Sequence, residues 1–285
     1  GFGFVNRTLL CAMAVKLDEA VGRLVATLQQ SGLWDDTLLW VHSDNGGMTN
    51  WSDAFPASAS VNAPLRGGKT TLFDGGMRVP SFIAGGYLPK ATAGAERSAL
   101  LHAVDIAPTF LGLASAPPRA ASVPPLDGID AWPTIVGAAG AEVPRTELPL
   151  QLGRNPMLPI GHGRLIPSFG LNYSAIISWP YKLLLGSTWV NAQNTGAATR
   201  DGWWTVSGSG AYVHVPPPPD DAVLVGGVPV RLYDLSADPA EEKNIAAAHP
   251  AVVANLTARL EWYAEEKHGY RPPQINLALP EGNPA

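Results

Sequence analysis

One stretch near the amino terminus limits the folds open to this chain, because a helical pattern there is followed by an apolar run and then by polar residues and glycines. Apolar residues recur at three- and four-residue steps over residues 13–30, which predicts an amphipathic helix ending at Ser31-Gly32. Residues 37–41 form a short apolar run typical of a buried parallel strand. Asp44-Asn45-Gly46-Gly47 then follows the strand, where open α/β sheets place ligand sites.

The remaining patterns predict two regions of different architecture. The expected elements are a strand over residues 78–84, a helix capped by Asp105, strands over 174–178, 181–185 and 228–235, and a helix over 251–268. Residues 114–149 are rich in Pro, Ala and Gly, which indicates loops and a subdomain boundary. We therefore expect an α/β fold, with a mixed sheet flanked by helices in residues 1–148 and a small antiparallel sheet with a carboxyl-terminal helix in residues 149–285.

Charge and hydropathy exclude two classes of partner. The net charge is −5 and no basic run occurs, which argues against a nucleic-acid partner. No apolar run has the length that a membrane span requires. Four Asn-x-Ser/Thr sequons, at Asn6, Asn50, Asn172 and Asn255, favour a secretory route, lysosomal or extracellular, although coincidence explains them about as well.

Asp44 and Asn45 are candidate metal ligands. A carboxylate and an amide oxygen side by side are hard donors, which suit Ca²⁺ or Mg²⁺ better than a soft metal. Gly46 and Gly47 allow a tight turn and a close approach of the backbone to a ligand. The same four residues also suit a plain turn, because Asx residues and glycines dominate turns.

Lys69 is a candidate anion contact. In Arg66-Gly67-Gly68-Lys69 a compact ammonium follows two glycines, so it can approach a tetrahedral oxyanion that the backbone also approaches. Such a cation stabilises charge on sulfate or phosphate oxygens as an ester bond breaks. A solvated loop lysine is the alternative, and for Arg66 a structural ion pair is favoured over an anion contact.

Taken together, these segments resemble the sulfatase family of the alkaline-phosphatase-like superfamily, and within it the arylsulfatase B or N-acetylgalactosamine-4-sulfatase type. The resemblance is carried by Ser43-Asp44-Asn45-Gly46-Gly47, by Asn62-Ala63-Pro64-Leu65-Arg66-Gly67-Gly68-Lys69, by Phe73-Asp74-Gly75-Gly76-Met77-Arg78-Val79-Pro80, and by the later segments Leu126-Asp127-Gly128-Ile129-Asp130 and Leu232-Tyr233-Asp234-Leu235. It implies that Asp44 and Asn45 are ligands of an active-site Ca²⁺, and that Lys69 contacts the sulfate of an aryl or carbohydrate sulfate ester.

The resemblance also implies parts that this sequence does not contain. Members of the family convert the cysteine of a C-x-P-S-R motif to formylglycine, whose hydrate attacks sulfur. No such motif occurs here, since Cys11 is followed by Ala12-Met13-Ala14, and the paired aspartates that complete the metal site are missing. We therefore expect a carboxyl-terminal portion of a sulfatase, with an incomplete metal-ligand set and no activity by itself.

Two other functions stay open. A phosphate-ester hydrolase of the same superfamily is one, although those enzymes place Asp-His-Gly where this chain has Asp44-Asn45-Gly46. A catalytically inactive sulfatase-like protein is the other.

Overall fold

A computed structural model describes most of the chain. The described residues are 2–49, 60–116, 125–138, 145–152, 157–160, 164–167, 173–186, 188, 202–208, 212–218 and 221–265. Within them the helices are α1 Phe2–Gln30, α2 Asp74–Met77, α3 Ile106–Leu113, α4 Trp132–Val136 and α5 Pro250–Ala264. The strands are β1 Leu39–His42, β2 Ser81–Ala84, β3 Glu147–Gln151, β4 Met157–Ile160, β5 Arg164–Pro167, β6 Tyr173–Ser178, β7 Tyr181–Gly186, β8 Trp203–Val206, β9 Tyr212–Val215, β10 Val223–Val225 and β11 Val228–Asp234.

Five strands of the carboxyl-terminal half form one antiparallel sheet in the order β10-β11-β7-β6-β3. Its centre is the hairpin of β6 and β7, in which Ser178 lies opposite Tyr181 across the Trp179-Pro180 turn. The central residues of both strands are buried, since each face of the sheet is covered. That burial explains why these strands read as continuous apolar runs and not as an alternating pattern. The strands predicted over residues 174–178, 181–185 and 228–235 are confirmed.

Helix α5 covers one face of this sheet. Its buried side chains Val253, Leu256 and Leu260 pack with residues of the sheet strands, among them Ile176, Leu183, Leu185, Val230 and Leu232. Removing this apolar area from water is the main stabilising contribution, at about 25 cal/mol per Å². The last helix predicted over residues 251–268 forms but is shorter, since α5 ends at Ala264 and the backbone of Glu265 is extended.

The opposite face of the sheet packs on the segment that follows Lys69. Leu72 and Phe73 are almost fully buried there, against Ile177, Leu184 and Tyr233. The glycine-rich sequence of the first half is therefore seated directly on the sheet of the second half. The division predicted at residues 148 and 149 falls inside β3, a strand of that sheet.

The strand predicted over residues 37–41 forms as β1, with a different partner from the one expected. In the described part of the chain β1 pairs only with β2, and the two run antiparallel with Trp40 opposite Ile83. β1 is partly buried and His42 is exposed, so the prediction of a buried parallel strand was wrong for the described residues. The reason is topological, because a parallel neighbour requires a crossover connection, whereas the chain returns through α2 in the opposite direction.

The helix predicted over residues 13–30 is confirmed and begins earlier, at Phe2. It ends at Gln30 as expected, and Gly32 beyond it has a φ of 73°. The apolar side chains Leu9, Met13, Leu17 and Leu24 are 48–68% exposed. Their spacing predicted the helix correctly, but no described residue covers that face. None of the described helices combines the length and the hydropathy that crossing a bilayer requires.

Asp105 begins the predicted helix but does not cap it with its side chain. α3 starts at Ile106, while the Asp105 carboxylate accepts hydrogen bonds from His102 N at 2.8 Å and Ile129 N at 3.0 Å and pairs with Arg145. The apolar side chains Phe110 and Leu111 of α3 are 37% and 42% exposed.

Candidate functional site

Three glycine pairs meet at one point, which we call the glycine junction: Gly46-Gly47, Gly67-Gly68 and Gly75-Gly76. Backbone hydrogen bonds join them, from Gly46 N to Gly76 O at 2.9 Å, from Gly75 N to Arg66 O at 2.7 Å and from Lys69 N to Gly47 O at 3.1 Å. The Asp44 loop (residues 43–47) and the Lys69 loop (residues 62–69) are thus held in direct contact.

Only glycine permits these approaches. A Cβ at Gly46 would lie 1.8 Å from Gly75 O, one at Gly75 would lie 2.3 Å from Arg66 O, and one at Gly76 would lie 2.4 Å from Gly68 O. Backbone carbonyls cannot move aside as the end of a flexible side chain can. The glycines that sequence reasoning assigned to a tight turn therefore serve mainly to let three segments pack without side chains between them.

Asn62 ties the two loops together, a role that sequence reasoning missed. Its Oδ1 accepts from Gly47 N at 2.9 Å, while its Nδ2 donates to Gly47 O at 2.9 Å and to Gly67 O at 3.0 Å. A side-chain amide has the same donor and acceptor as a peptide group, so it can pair with both sides of one residue. No local signal marks this role, because the partner is 15 positions away.

Asp44 and Asn45 directly precede Gly46-Gly47, the first glycine pair of the junction. Asp44 is exposed and Asn45 is partly buried. Asp44 Oδ1 accepts from Asn45 N at 2.8 Å, and Asn45 Nδ2 donates to Gly46 O at 2.9 Å. The second bond commits the amide nitrogen to the backbone, so the Asn45 side-chain oxygen is the atom available to a cation.

These two oxygens fit a hard cation in part. Ca²⁺ takes about six to eight oxygen ligands, so Asp44 and Asn45 supply the beginning of such a set and not the whole. Among the described residues no group of three or more His, Cys, Asp and Glu side chains is arranged to hold a metal ion. Their role as metal ligands stays a prediction.

Lys69 has a backbone held by a hydrogen bond and a side chain exposed to solvent. Its N–H donates to Gly47 O, and the residue is exposed. The junction therefore brings the backbones of the three predicted site residues together, while the contact of Lys69 with an anion stays a prediction.

Arg66 is a structural residue, as favoured from the sequence. Its guanidinium is fully buried and binds Asp221 through two parallel hydrogen bonds, of 2.7 Å from NH1 to Oδ1 and 2.8 Å from NH2 to Oδ2. It lies 3.9 Å from the ring centroid of Phe73 and 5.0 Å from that of Trp203. Arg231 also binds Asp221, at 2.5 Å. The Lys69 loop is thereby anchored to the carboxyl-terminal half.

A second buried cluster anchors the segment after Lys69. Lys182 of β7 lies 2.6 Å from Asp74 Oδ1 and 2.8 Å from Glu241 Oε1, and Asp74 N donates to Glu241 Oε2 at 2.6 Å. All three side chains are at most 4% exposed. We call Arg66, Lys182, Arg231, Asp74, Asp221 and Glu241 the buried ion network. Its three cations balance its three carboxylates, which allows so many charges to lie inside.

Burial and pairing shift the protonation of this network. Burial and the charge of Asp74 raise the pKa of Glu241 to about 7, against the opposing effect of Lys182. Burial alone would lower the pKa of Lys182, but the charges of Glu241 and Asp74 raise it above its usual value. Burial alone would raise the pKa of Asp221, but hydrogen bonds from Arg66 hold it below its usual value.

Part of the chain matches a family model, and long stretches match characterised proteins. Residues 6–116 match the model described as Sulfatase. The chain is 28% identical over 270 residues to arylsulfatase J of Mus musculus, covering 91% of this chain and 40% of that protein. It is 25% identical over 252 residues to N-acetylgalactosamine-6-O-sulfatase of Bacteroides thetaiotaomicron, covering 87% of this chain and 40% of that protein. The chain thus spans about 40% of the length of these curated relatives.

Solved structures share the fold. Ps i-CgsB, in complex with k-i-k-neocarrahexaose, has a TM-score of 0.58 at 22% identity, covering 90% of this chain and 43% of that one. PsFucS1 sulfatase from Pseudoalteromonas sp. has a TM-score of 0.52 at 19% identity, covering 88% and 41%. These similarities confirm the expected α/β fold of the alkaline-phosphatase-like type.

Proposed function

We propose that this chain, of which residues 6–116 match the model described as Sulfatase, forms part of a sulfuric ester hydrolase that acts on aryl or carbohydrate sulfate esters with a bound Ca²⁺. The observation that carries the proposal is the glycine junction. Its backbone hydrogen bonds bring the Asp44 loop and the Lys69 loop together, although the two are about twenty residues apart in sequence. A cation site and an anion contact side by side suit an ester whose negative charge must be stabilised as a bond breaks.

Lys69 contacts the sulfate in this proposal. Its ammonium is exposed and its backbone is held by Gly47, so the charge is available and its point of attachment is fixed. A lysine binds a tetrahedral anion as a point charge, and its effect is largest where oxygen charge develops in the transition state.

Asp44 and Asn45 hold the metal ion in this proposal. They would supply two of its oxygen ligands, since the bond from Asn45 Nδ2 to Gly46 O uses the amide nitrogen and leaves the amide oxygen for that task. A bound Ca²⁺ offsets sulfate charge and orients the ester.

The proposal predicts that the 285-residue chain does not hydrolyse esters by itself, because the sequence contains no C-x-P-S-R nucleophile motif. The test compares release of sulfate from an aryl sulfate and of phosphate from the matching aryl phosphate, by the chain and by the complete gene product. We expect turnover by the complete product only, and faster turnover of the sulfate. Faster phosphate turnover would favour a phosphate-ester hydrolase, and no turnover by the complete product would favour an inactive sulfatase-like protein.

A secretory route is also proposed, from the sequons. Asn255 is exposed on α5, so its side chain is accessible to solvent. Asn50 and Asn172 lie outside the described residues, and Asn6 lies in α1. Loss of mass on treatment of the secreted protein with an N-glycosidase would support glycosylation of these sites.

A further inference from the structure

The backbone adopts a left-handed conformation directly after Lys69. Thr70 has a φ of 77°, and it is one of three residues other than glycine with a positive φ in the described part of the chain. Thr71 N donates to Gly68 O at 2.9 Å, which closes a four-residue turn that we call the Lys69 turn (residues 68–71). Lys69 and Thr70 are its two central residues, and a positive φ at the second of them alone identifies a type II turn.

Threonine is an unfavourable residue at this position of a turn. Type II turns place glycine or asparagine there, because a Cβ crowds the backbone when φ is positive. Branching at Cβ increases the crowding, so a threonine in this conformation is an outlier. Strained residues of this kind persist only where neighbouring groups hold them, and they cluster at functional sites. The conformation of the Lys69 turn therefore depends on contacts from outside the turn.

Two segments outside the turn supply those contacts. On one side, Lys69 N donates to Gly47 O at 3.1 Å, and Asn62 holds Gly47 through two hydrogen bonds of 2.9 Å. On the other side, Tyr173 Oη donates to Thr70 O at 3.4 Å. The bond from the tyrosine is long for an O–H donor, so it is the weaker of the two contacts. The Asp44 loop is thus the main support of the strained turn.

We propose that Thr70 is a positioning residue that makes the presentation of Lys69 depend on the docking of the Asp44 loop. With glycine at position 70 the turn would keep its shape alone, whereas threonine keeps it only while Gly47 accepts the bond from Lys69. The proposed metal ligands precede Gly47 in the Asp44 loop, so the cation site and the anion contact become coupled. This role rests on the proposed function, because the coupling serves the reaction only if Lys69 contacts the sulfate.

Amide hydrogen exchange of the 285-residue chain, followed by NMR, tests this dependence without any ligand. The Lys69 amide reports docking of the Asp44 loop, and the Thr71 amide reports closure of the turn. Asn62→Asp removes the donations of Nδ2 to the backbone and thereby loosens the loop. We expect it to raise the exchange rate of both amides by about tenfold. In the double variant with Thr70→Gly, the Lys69 amide should still exchange faster, while the Thr71 amide should stay protected.

Ser115→Gly is the matched control for Thr70→Gly. Ser115 also has a positive φ, of 49°, and it is exposed beyond the end of α3. Both glycine variants should raise the urea midpoint of unfolding, because each relieves backbone strain. Ser115→Gly should not protect the Thr71 amide in the Asn62→Asp background.

Binding of inorganic sulfate to the complete gene product, measured by isothermal titration calorimetry, should follow the same pattern. We expect Asn62→Asp to weaken binding by about tenfold, and Thr70→Gly to restore most of the affinity in that background. Ser115→Gly should restore none of it. A rescue by glycine at position 70 alone separates positioning of Lys69 from a general change in stability.

Equal exchange of the Thr71 amide in Asn62→Asp with threonine or glycine at position 70 would overturn the proposal. A lower urea midpoint in Thr70→Gly would also overturn it, because threonine would then not be strained. If the exchange rates change as expected but Lys69→Ala leaves the sulfate affinity unchanged, the dependence of the turn on the loop stands and the anion contact of the proposed function is wrong. Should Asn62→Asp not fold, Thr70→Gly alone decides, since it should slow exchange of the Thr71 amide.

Discussion

At the scale of single residues, exposure separates the two cations of the Lys69 loop. Arg66 is buried and paired with Asp221, while Lys69, three positions later, is exposed. The planar guanidinium suits a bidentate buried pair, and the compact ammonium suits a solvent-facing anion contact. Substitution of Arg66 should therefore affect stability, whereas substitution of Lys69 should affect activity.

Lys69→Ala should lower the kcat of the complete gene product for a sulfate ester by about 10²- to 10³-fold, the range found when one stabilising group in an active site is removed. The melting temperature should not change, because the side chain is exposed. Lys90→Ala is the matched control, since Lys90 is an exposed lysine outside the junction. Steady-state kinetics and thermal unfolding are measured together, and near-normal kcat in Lys69→Ala would remove this residue from the site.

Glu241 makes stability depend on pH. Its pKa is about 7 in the folded chain and near 4.5 when unfolded. The folded state therefore binds more protons between these values, so the stability that Glu241 contributes is complete below about pH 4.5 and is lost as the pH rises through about 7. The raised pKa of Lys182 and the lowered pKa of Asp221 act outside this window, at higher and lower pH respectively.

Glu241→Gln should accordingly remove the decrease in the free energy of unfolding that Glu241 causes as the pH rises from 5 to 7, because glutamine takes up no proton. Urea unfolding of the wild type and the variant at several pH values measures this slope. Glu242→Gln, an exposed neighbour, should leave the wild-type slope unchanged. An equal slope in wild type and Glu241→Gln would show that another group titrates.

At the scale of elements, the glycine junction depends on the absence of side chains where three segments cross. Gly46→Ala would place a Cβ 1.8 Å from Gly75 O, so the Asp44 loop or α2 must move. We expect the free energy of unfolding to fall by about 1–3 kcal/mol, the usual cost of overpacking. Sulfate binding should weaken as well, because Lys69 N is bonded to the adjacent Gly47.

Gly22→Ala is the control for that experiment. Gly22 lies within α1, and a Cβ added there meets nothing within 4 Å. Alanine in a helix is favoured over glycine, so this substitution should raise the free energy of unfolding by about 0.5–1 kcal/mol. Urea unfolding measures both variants. Changes of opposite sign in the free energy of unfolding would confirm that packing at the junction destabilises Gly46→Ala, and not the loss of a glycine as such.

At the scale of the whole molecule, the buried ion network connects the loops of the first half to the sheet of the second. Arg66→Met leaves Asp221 buried with one of its cations missing, and breaking such a pair costs about 3–5 kcal/mol. Lys16→Met breaks an exposed pair with Glu19 and should cost less than about 1 kcal/mol. Chemical denaturation compares the two. A small effect of Arg66→Met would show that the pair of Arg66 with Asp221 contributes little to holding the two halves together.

Local patterns determined much of this protein. The sequence by itself predicted α1, the β6–β7 hairpin, β11, α5 and the structural role of Arg66, because periodicity, turn residues and apolar runs depend on neighbours along the chain. It also brought Asp44, Asn45 and Lys69 together as candidates for one site, through the resemblance of their motifs to sulfatases. The assignment to the arylsulfatase B type stays a prediction. So do the part of a sulfatase that this chain represents and the metal ligands Asp44 and Asn45.

Only the tertiary structure decided the remainder, because the contacts join residues far apart in sequence. Asp238 to Glu241 has the pattern of a helix start, yet Glu241 adopts a φ of 58° and turns inward to Lys182 and Asp74, the latter 167 positions away. The hydrogen bonds of Asn62 to Gly47 and Gly67 were not predicted, and neither was the antiparallel pairing of β1 with β2, for the same reason. The sequence identified the charged and polar side chains that could bind a ligand. Burial of charge and the packing of the glycine segments decided which of them are structural and which face solvent.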